Sequence, residues 1–255
     1  MNFKGRDGSP QPSEERPVAE NPPYLNGKNM ETKKQRIAAF EKVDVYPVIS
    51  SEFCAGRSPT YVLEQIAEGG ARIVQLREKN MNKRALGHLA CEFRRICDKF
   101  GMLLIINDLV DIAVECGADG VHLGQGDLPL GAARNSAPEM IFGISTHSSE
   151  EALKAQSDGA DYVNIGPIFN TQTKSLTMAA LGVETIGKIA PLLHIPFTVM
   201  GGIKSGHIPE LLSAGALKIA MVTEITANEN IAAKVRDLRE KMLRKYEYNK
   251  LPATA

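Results

Sequence analysis

The chain lacks a net charge, a long hydrophobic run and any C-x-x-C pair. Each absence closes off a class of function. With 30 Lys and Arg against 30 Asp and Glu, bulk charge cannot hold a nucleic acid or a membrane surface. No apolar stretch approaches the ~20 residues of a membrane span, and the first residues carry no apolar core of a secretory signal. The four cysteines, Cys54, Cys91, Cys97 and Cys116, lack the spacing of a metal knot or disulfide frame. They read as reduced thiols of a cytoplasmic protein. A dinucleotide loop is also excluded: "GQGDLP" starts like G-x-G-x-x-G, but Pro129 stands at the third glycine position.

What is present is an alternation. Residues 1–30 hold five of the 14 prolines and show no periodicity, as a disordered polar leader would. Residues 31–42 could form a short helix that docks on the body, which makes 1–42 a leader segment and 248–255 a tail. Between them, over 43–247, short apolar runs alternate with amphipathic stretches. Strands are expected at 45–50, 72–77, 102–106, 119–123, 140–145, 161–166, 196–200 and 217–222. Leu86, Leu89, Ala90, Phe93, Ile96 and Cys97 mark one face of a helix. Eight strand and helix pairs predict an α/β fold of one domain, a closed (β/α)8 TIM barrel, with an open doubly wound sheet as the alternative.

A weak repeat favours closure. "GARIVQLR", "GADGVHLG", "GADYVNIG" and "GALKIAMV" each place a glycine suited to a helix C-cap directly before a strand. Five residues on from each glycine stand Gln75, His122, Asn164 and Ala220. Alternation in a strand points all four the same way. Polar residues there suit a barrel interior near its open end.

In such a barrel the chemistry sits at the C-terminal ends of the strands. Strand 2 ends in "QLREK", which holds Arg77 and Lys79 over the mouth, with Glu78 turned away towards a neighbouring cation. Strand 3 ends in Asn107 and Asp108, and strand 4 leads to Asp127. Two carboxylates on adjacent strand ends suit a hard cation such as Mg2+, which takes one or two carboxylates plus substrate phosphates. Strand 5 ends at Ser145. A hydroxyl-rich loop follows strand 6 with Thr171, Thr173 and Lys174; with almost no apolar anchor, it reads as a lid. Strand 7 runs into Gly201 and Gly202, where backbone amides can close on a phosphate. The inventory implies one metal-bridged polyphosphate and one separate monophosphate.

Six stretches, "VQLREK", "INDLVDIA", "GADGVHLGQGDLP", "GISTHSSEEA", "GADYVNIGPIFNTQTK" and "GGI", occur in order at these strand ends. Together they resemble the thiamine phosphate synthase family over about residues 45–245. The resemblance implies a transferase that joins hydroxymethylpyrimidine diphosphate to hydroxyethylthiazole phosphate, giving thiamine phosphate and pyrophosphate with Mg2+. It implies that Arg77, Lys79, Asn107, Ser145 and Lys174 contact the diphosphate, and that Asp108 and Asp127 hold Mg2+. Gln75 and Thr171 would address the pyrimidine, with His122 close to it. Thr173 would address the thiazole, and Gly202, Val222 and Thr223 its phosphate. The partners so implied are the two small molecules, with no nucleic acid and no membrane, and a homo-oligomer is left open. Two other readings, a thiazole tautomerase-like relative and a non-catalytic binder of thiamine intermediates, fit less well. Pro167 stands where the tautomerases carry a histidine, and a binder need not keep Asp108, Asp127, Arg77 and Lys79 together. One departure concerns Glu224, where the family has a small residue. Its carboxylate either faces the phosphate site, where it would oppose the anion, or, the favoured arrangement, faces the helical layer and pairs with a lysine or arginine.

Overall fold

The computed structural model describes residues 32–171 and 179–248. Eight parallel strands close into one barrel in chain order. They are β1 (Val45–Ile49), β2 (Ile73–Leu76), β3 (Leu103–Asn107), β4 (Gly120–Leu123), β5 (Ile141–Thr146), β6 (Tyr162–Ile165), β7 (Phe197–Val199) and β8 (Ile219–Met221). Each lies within two residues of its expected bounds. β1 pairs with both β2 and β8, which excludes the open sheet. The glycines of the repeat, Gly70, Gly117, Gly159 and Gly215, all have positive φ. A side chain there would meet its own carbonyl, so glycine ends each helix and turns the chain into the next strand.

Helices cover the outer face. The helix Lys83–Phe100 shows why a sequence like this folds locally. Asn82 accepts the Ala85 amide at 2.9 Å, Gly101 caps the end at φ 65°, and Leu86, Ala90, Phe93 and Cys97 are buried between. Outward-facing strand residues and these helix faces form the larger core. Inside the barrel a second cluster gathers Ile73, Leu103, Ile105 and Ile141 with Tyr46 and Tyr162. No helix among the described residues is long and apolar enough to cross a membrane.

The helix Lys33–Glu41 begins at Thr32, whose hydroxyl accepts the Gln35 amide while Gln35 answers with its side chain to the Thr32 amide. It crosses the bottom of the barrel. Its Phe40 enters the inner cluster and stacks on Tyr162. Two ion pairs tie it down: Lys33 to Asp161 at 2.8 Å and Arg36 to Asp119 at 3.4 Å. Those aspartates each stand one residue before a strand. Asp119 also takes Arg94 and the Leu104 amide, and Asp161 takes Arg134 and the Phe142 amide. Asp44, before β1, is held by Arg72 and Arg239. Each buried carboxylate thus meets both cations and backbone amides, which offsets its desolvation. The N-terminal face is built for stability, and the opposite face is left for the ligand.

Candidate active site

The strand ends converge on an open cleft whose wall includes Gln75, Arg77, Lys79, Asn107, Asp108, His122, Asp127, Ser145 and Asn164. Gln75, His122, Asn164 and Ala220 all reach it, as the repeat implied. A second recess adjoins it, lined by Phe53, Pro167, Thr171, Met200, Gly201 and Val222. Arg77 and Asn164 border both spaces. A third hollow lies beside the turn after β7, between Gly202, Lys204, Thr223 and Glu224.

The cations sit at the cavity rim. The Arg77 backbone is fixed on both sides, its amide donating to the Ile49 carbonyl at 2.8 Å and its own carbonyl accepting the Ser50 hydroxyl. No carboxylate among the described residues pairs with its guanidinium. Glu78 points the other way, as alternation requires. Its partner, however, is not a cation: Ser51 offers its amide at 2.7 Å and its hydroxyl at 2.6 Å. Ser51 opens a short helical turn, so its amide lacks an internal partner and the carboxylate satisfies it.

Lys79 forms an ion pair with Asp108. Asp108 adopts φ 62°, a left-handed conformation that aspartate tolerates better than most side chains. Its amide donates to the His122 carbonyl at 2.8 Å, which fastens the strained turn to β4. The turn brings its carboxyl against that of Asp127. Burial, then the hydrogen bond to Asp127, pushes Asp108 up despite Lys79. Burial also works to raise Asp127, but the hydrogen bond from Asp108, the Gly124 amide at 2.7 Å and the nearby Lys79 outweigh it and hold Asp127 low. Two carboxyls in contact share a proton when no cation lies between them. Hard oxygen donors, two in number, open to a cavity and flanked by cations for an anion, fit Mg2+ completed by water and phosphate oxygens.

Beneath the mouth runs a polar chain. Gln75 Nε2 donates to the Tyr46 hydroxyl at 3.1 Å, and the Tyr46 and Tyr162 hydroxyls meet at 3.1 Å. Tyr162 meets His122 Nδ1 at 3.1 Å, and His122 Nε2 meets Ser145 Oγ at 2.9 Å. Beside it, Thr198 donates to Asn164 Oδ1 at 2.8 Å. Neither tyrosine stood out in the sequence, because an aromatic on an inward strand position looks like core. Period two from Asn164 does place Tyr162 on the inner face.

On the far side, Gly201 and Gly202 have φ 109° and 61°. A Cβ at Gly202 would fall 2.3 Å from the Asn170 carbonyl oxygen, so only glycine fits there. Val222 borders this turn and the second recess, and Thr223 borders the turn. Thr171 lines the recess and the turn, on the side away from Gln75. Glu224 also borders the turn, yet its charge is already matched: Lys234 lies at 2.5 Å, Lys204 at 3.5 Å and the Ser205 amide at 3.1 Å. Burial would raise its pKa, but Lys234, that amide and Lys204 together hold it low. Thr173 and Lys174 lie outside the described residues.

Residues 45–225 match the family model described as thiamine monophosphate synthase. A thiamine-phosphate synthase of Pelotomaculum thermopropionicum is 39% identical over 214 residues, 84% of this chain and 98% of that protein. One from Caldicellulosiruptor saccharolyticus is 36% identical over 81% of this chain and 94% of its own length. Among solved structures, thiamine phosphate pyrophosphorylase from Pyrococcus furiosus superposes with a TM-score of 0.74 at 30% identity, covering 80% of this chain and 96% of that one.

Proposed function

This chain belongs to the thiamine monophosphate synthase family and is a transferase, and from that premise we propose that it joins hydroxymethylpyrimidine diphosphate to hydroxyethylthiazole phosphate, dependent on Mg2+. The observation that carries this reading is the contact of Asp108 with Asp127 beside Lys79 and Arg77, across an apolar recess from a glycine turn. A diphosphate at the first and a monophosphate at the second would place two rings side by side between them.

The C–O bond between the pyrimidine methylene and the diphosphate breaks, and its electron pair leaves on the diphosphate. The thiazole nitrogen supplies the pair for the new C–N bond. No strong base is required, so the residues act by charge and alignment. Arg77 and Lys79 balance the charge that grows on the leaving group, with Asn107 and Ser145 as neutral donors; Lys174 is assigned the same task. Asp108 and Asp127 would hold Mg2+, which adds positive charge at the leaving oxygens. Gln75 and His122 border the pyrimidine. Thr171 and Thr173 are assigned to the ring edges, and Gly202, Val222 and Thr223 to the thiazole phosphate. Pro167, in the wall of the recess, has no proton to transfer, which weighs against a tautomerase.

The test is product formation read by fluorescence after oxidation to the thiochrome form. Signal with both substrates, and none when either is left out, is the expected result. Signal that persists without the thiazole phosphate would overturn the assignment.

A further inference from the structure

The chain from Gln75 to Ser145 has a direction, and the direction has consequences. The Gln75 amide nitrogen can only donate, so the Tyr46 oxygen accepts from it. Tyr46 then passes its own hydrogen to Tyr162 across 3.1 Å, and Tyr162 passes its hydrogen to His122 Nδ1. An imidazole that accepts at Nδ1 carries its hydrogen on Nε2. That hydrogen goes to Ser145 Oγ at 2.9 Å. Ser145 therefore keeps its own hydroxyl hydrogen for the cavity, and Gln75 keeps its carboxamide oxygen for it.

Run backwards, with the Gln75 carboxamide turned over, the same chain would spend the Ser145 hydrogen on His122 and leave Ser145 only lone pairs for the cavity. That arrangement would oppose the anion that Arg77 and Lys79 gather. The relay is also built with care for space. A Cβ at Gly143 would fall 2.0 Å from Tyr162 Cζ, so the absence of a side chain there is what admits the ring. Phe40 seats the ring from below, with centroids 4.4 Å apart. Both phenols are buried, and burial pushes their ionisation well up, so each stays a neutral donor.

We propose that Tyr46 and Tyr162 are positioning residues that set the direction of this chain, holding His122 in the Nε2–H form so that Ser145 presents its hydroxyl hydrogen to the ligand. Neither touches the reacting atoms. The proposal deepens the synthase reading, on which the role of Ser145 rests, but the state of His122 can be read without any substrate.

The experiment is nitrogen-15 NMR of the histidine-labelled full chain near neutral pH, with His122→Gln to identify the signal. A neutral ring protonated on Nε2 is expected. A ring protonated on Nδ1, or on both nitrogens, would overturn the direction of the chain. Tyr162→Phe then keeps the ring and its stacking and removes only the hydroxyl. In that variant the signal should move to a mixture of the two neutral forms. Turnover should fall about tenfold, the loss expected for one misdirected hydrogen bond to an anion, with the thiazole phosphate KM held within about twofold. An unchanged Nε2–H signal in Tyr162→Phe overturns the proposal whatever the turnover. Because the signal needs no substrate, failure to form thiamine phosphate would count against the synthase reading and leave the relay standing.

Discussion

Phe40 stacks on Tyr162 with ring centroids 4.4 Å apart and planes 28° from parallel. The hydroxyl at the far end of that tyrosine meets His122. One contact thus links the helix that closes the bottom of the barrel to the floor of the site at its top. Phe40→Ala should cost about 3 to 5 kcal/mol, as expected for a buried aromatic truncated to a cavity. It should also slacken Tyr162 and lower turnover in the protein that remains folded. Urea unfolding and steady-state kinetics on the same preparation check both; stability loss below about 1 kcal/mol would mean the helix is not part of the core.

Asp108→Asn and Asp127→Asn should each reduce Mg2+-dependent turnover by ~100-fold or more while leaving the fold intact, since both lie at the open mouth. Titration of turnover with Mg2+ checks this. Wild-type turnover at limiting Mg2+ in either variant would remove the acids from the metal role.

The acid pair also predicts a pH dependence. Burial and the neighbouring Asp127 raise Asp108, so the pair retains a proton to a higher pH than an isolated carboxyl. A metal needs both groups ionised. Mg2+ affinity should therefore be full above the raised Asp108 value and fall as pH drops through it, before the usual carboxylate range is reached. An apparent Mg2+ constant that stays flat from neutral pH into that range would contradict the pairing.

Glu224→Gln tests the turn after β7. Lys234 and Lys204 now answer its charge. Removing that charge while keeping an acceptor for Ser205 leaves two cations beside the turn. The thiazole phosphate KM should fall several-fold, the part of a ~2 to 3 kcal/mol Coulomb term that survives water and salt. The diphosphate KM should not move. The same carboxyl is held low in the folded state, so its share of stability is present above the unfolded carboxylate range and lost as pH falls through its depressed folded value. An unmoved thiazole phosphate KM would mean that its carboxylate does not act on that site.

Lys174→Ala should depress the chemical step by ~10-fold or more and leave the thiazole phosphate KM nearly unchanged, because its charge is assigned to the leaving diphosphate. Single-turnover kinetics separates the two effects; a loss confined to that KM would reassign the residue.

The barrel was legible because its punctuation is local. Gly70, Gly117, Gly159 and Gly215 each stop a helix and start a strand, and all four take the left-handed conformation. The inward set from Gln75 to Ala220 followed from strand alternation alone. What escaped depends on residues distant in sequence. Asp119 pairs with Arg36 and Arg94, and before folding it looks like any loop carboxylate. Alternation gave the direction of Glu78 but not its partner Ser51, which lies 27 residues earlier. The expectation for Glu224 met its lysines, yet the side chain also borders the turn, because the strand ends there and alternation no longer applies. The tyrosine relay escaped because hydrogen bonds between core aromatics leave no periodic trace.

The central claim is a stoichiometric exchange of diphosphate for thiazole on the pyrimidine methylene. Phosphorus NMR of one reaction mixture holding both substrates follows it directly, with Mg2+ and then with excess chelator. The account predicts equal growth of pyrophosphate and thiamine phosphate signals with the metal, and neither signal with chelator. Pyrophosphate appearing without thiamine phosphate, or equal conversion in chelator, would contradict it.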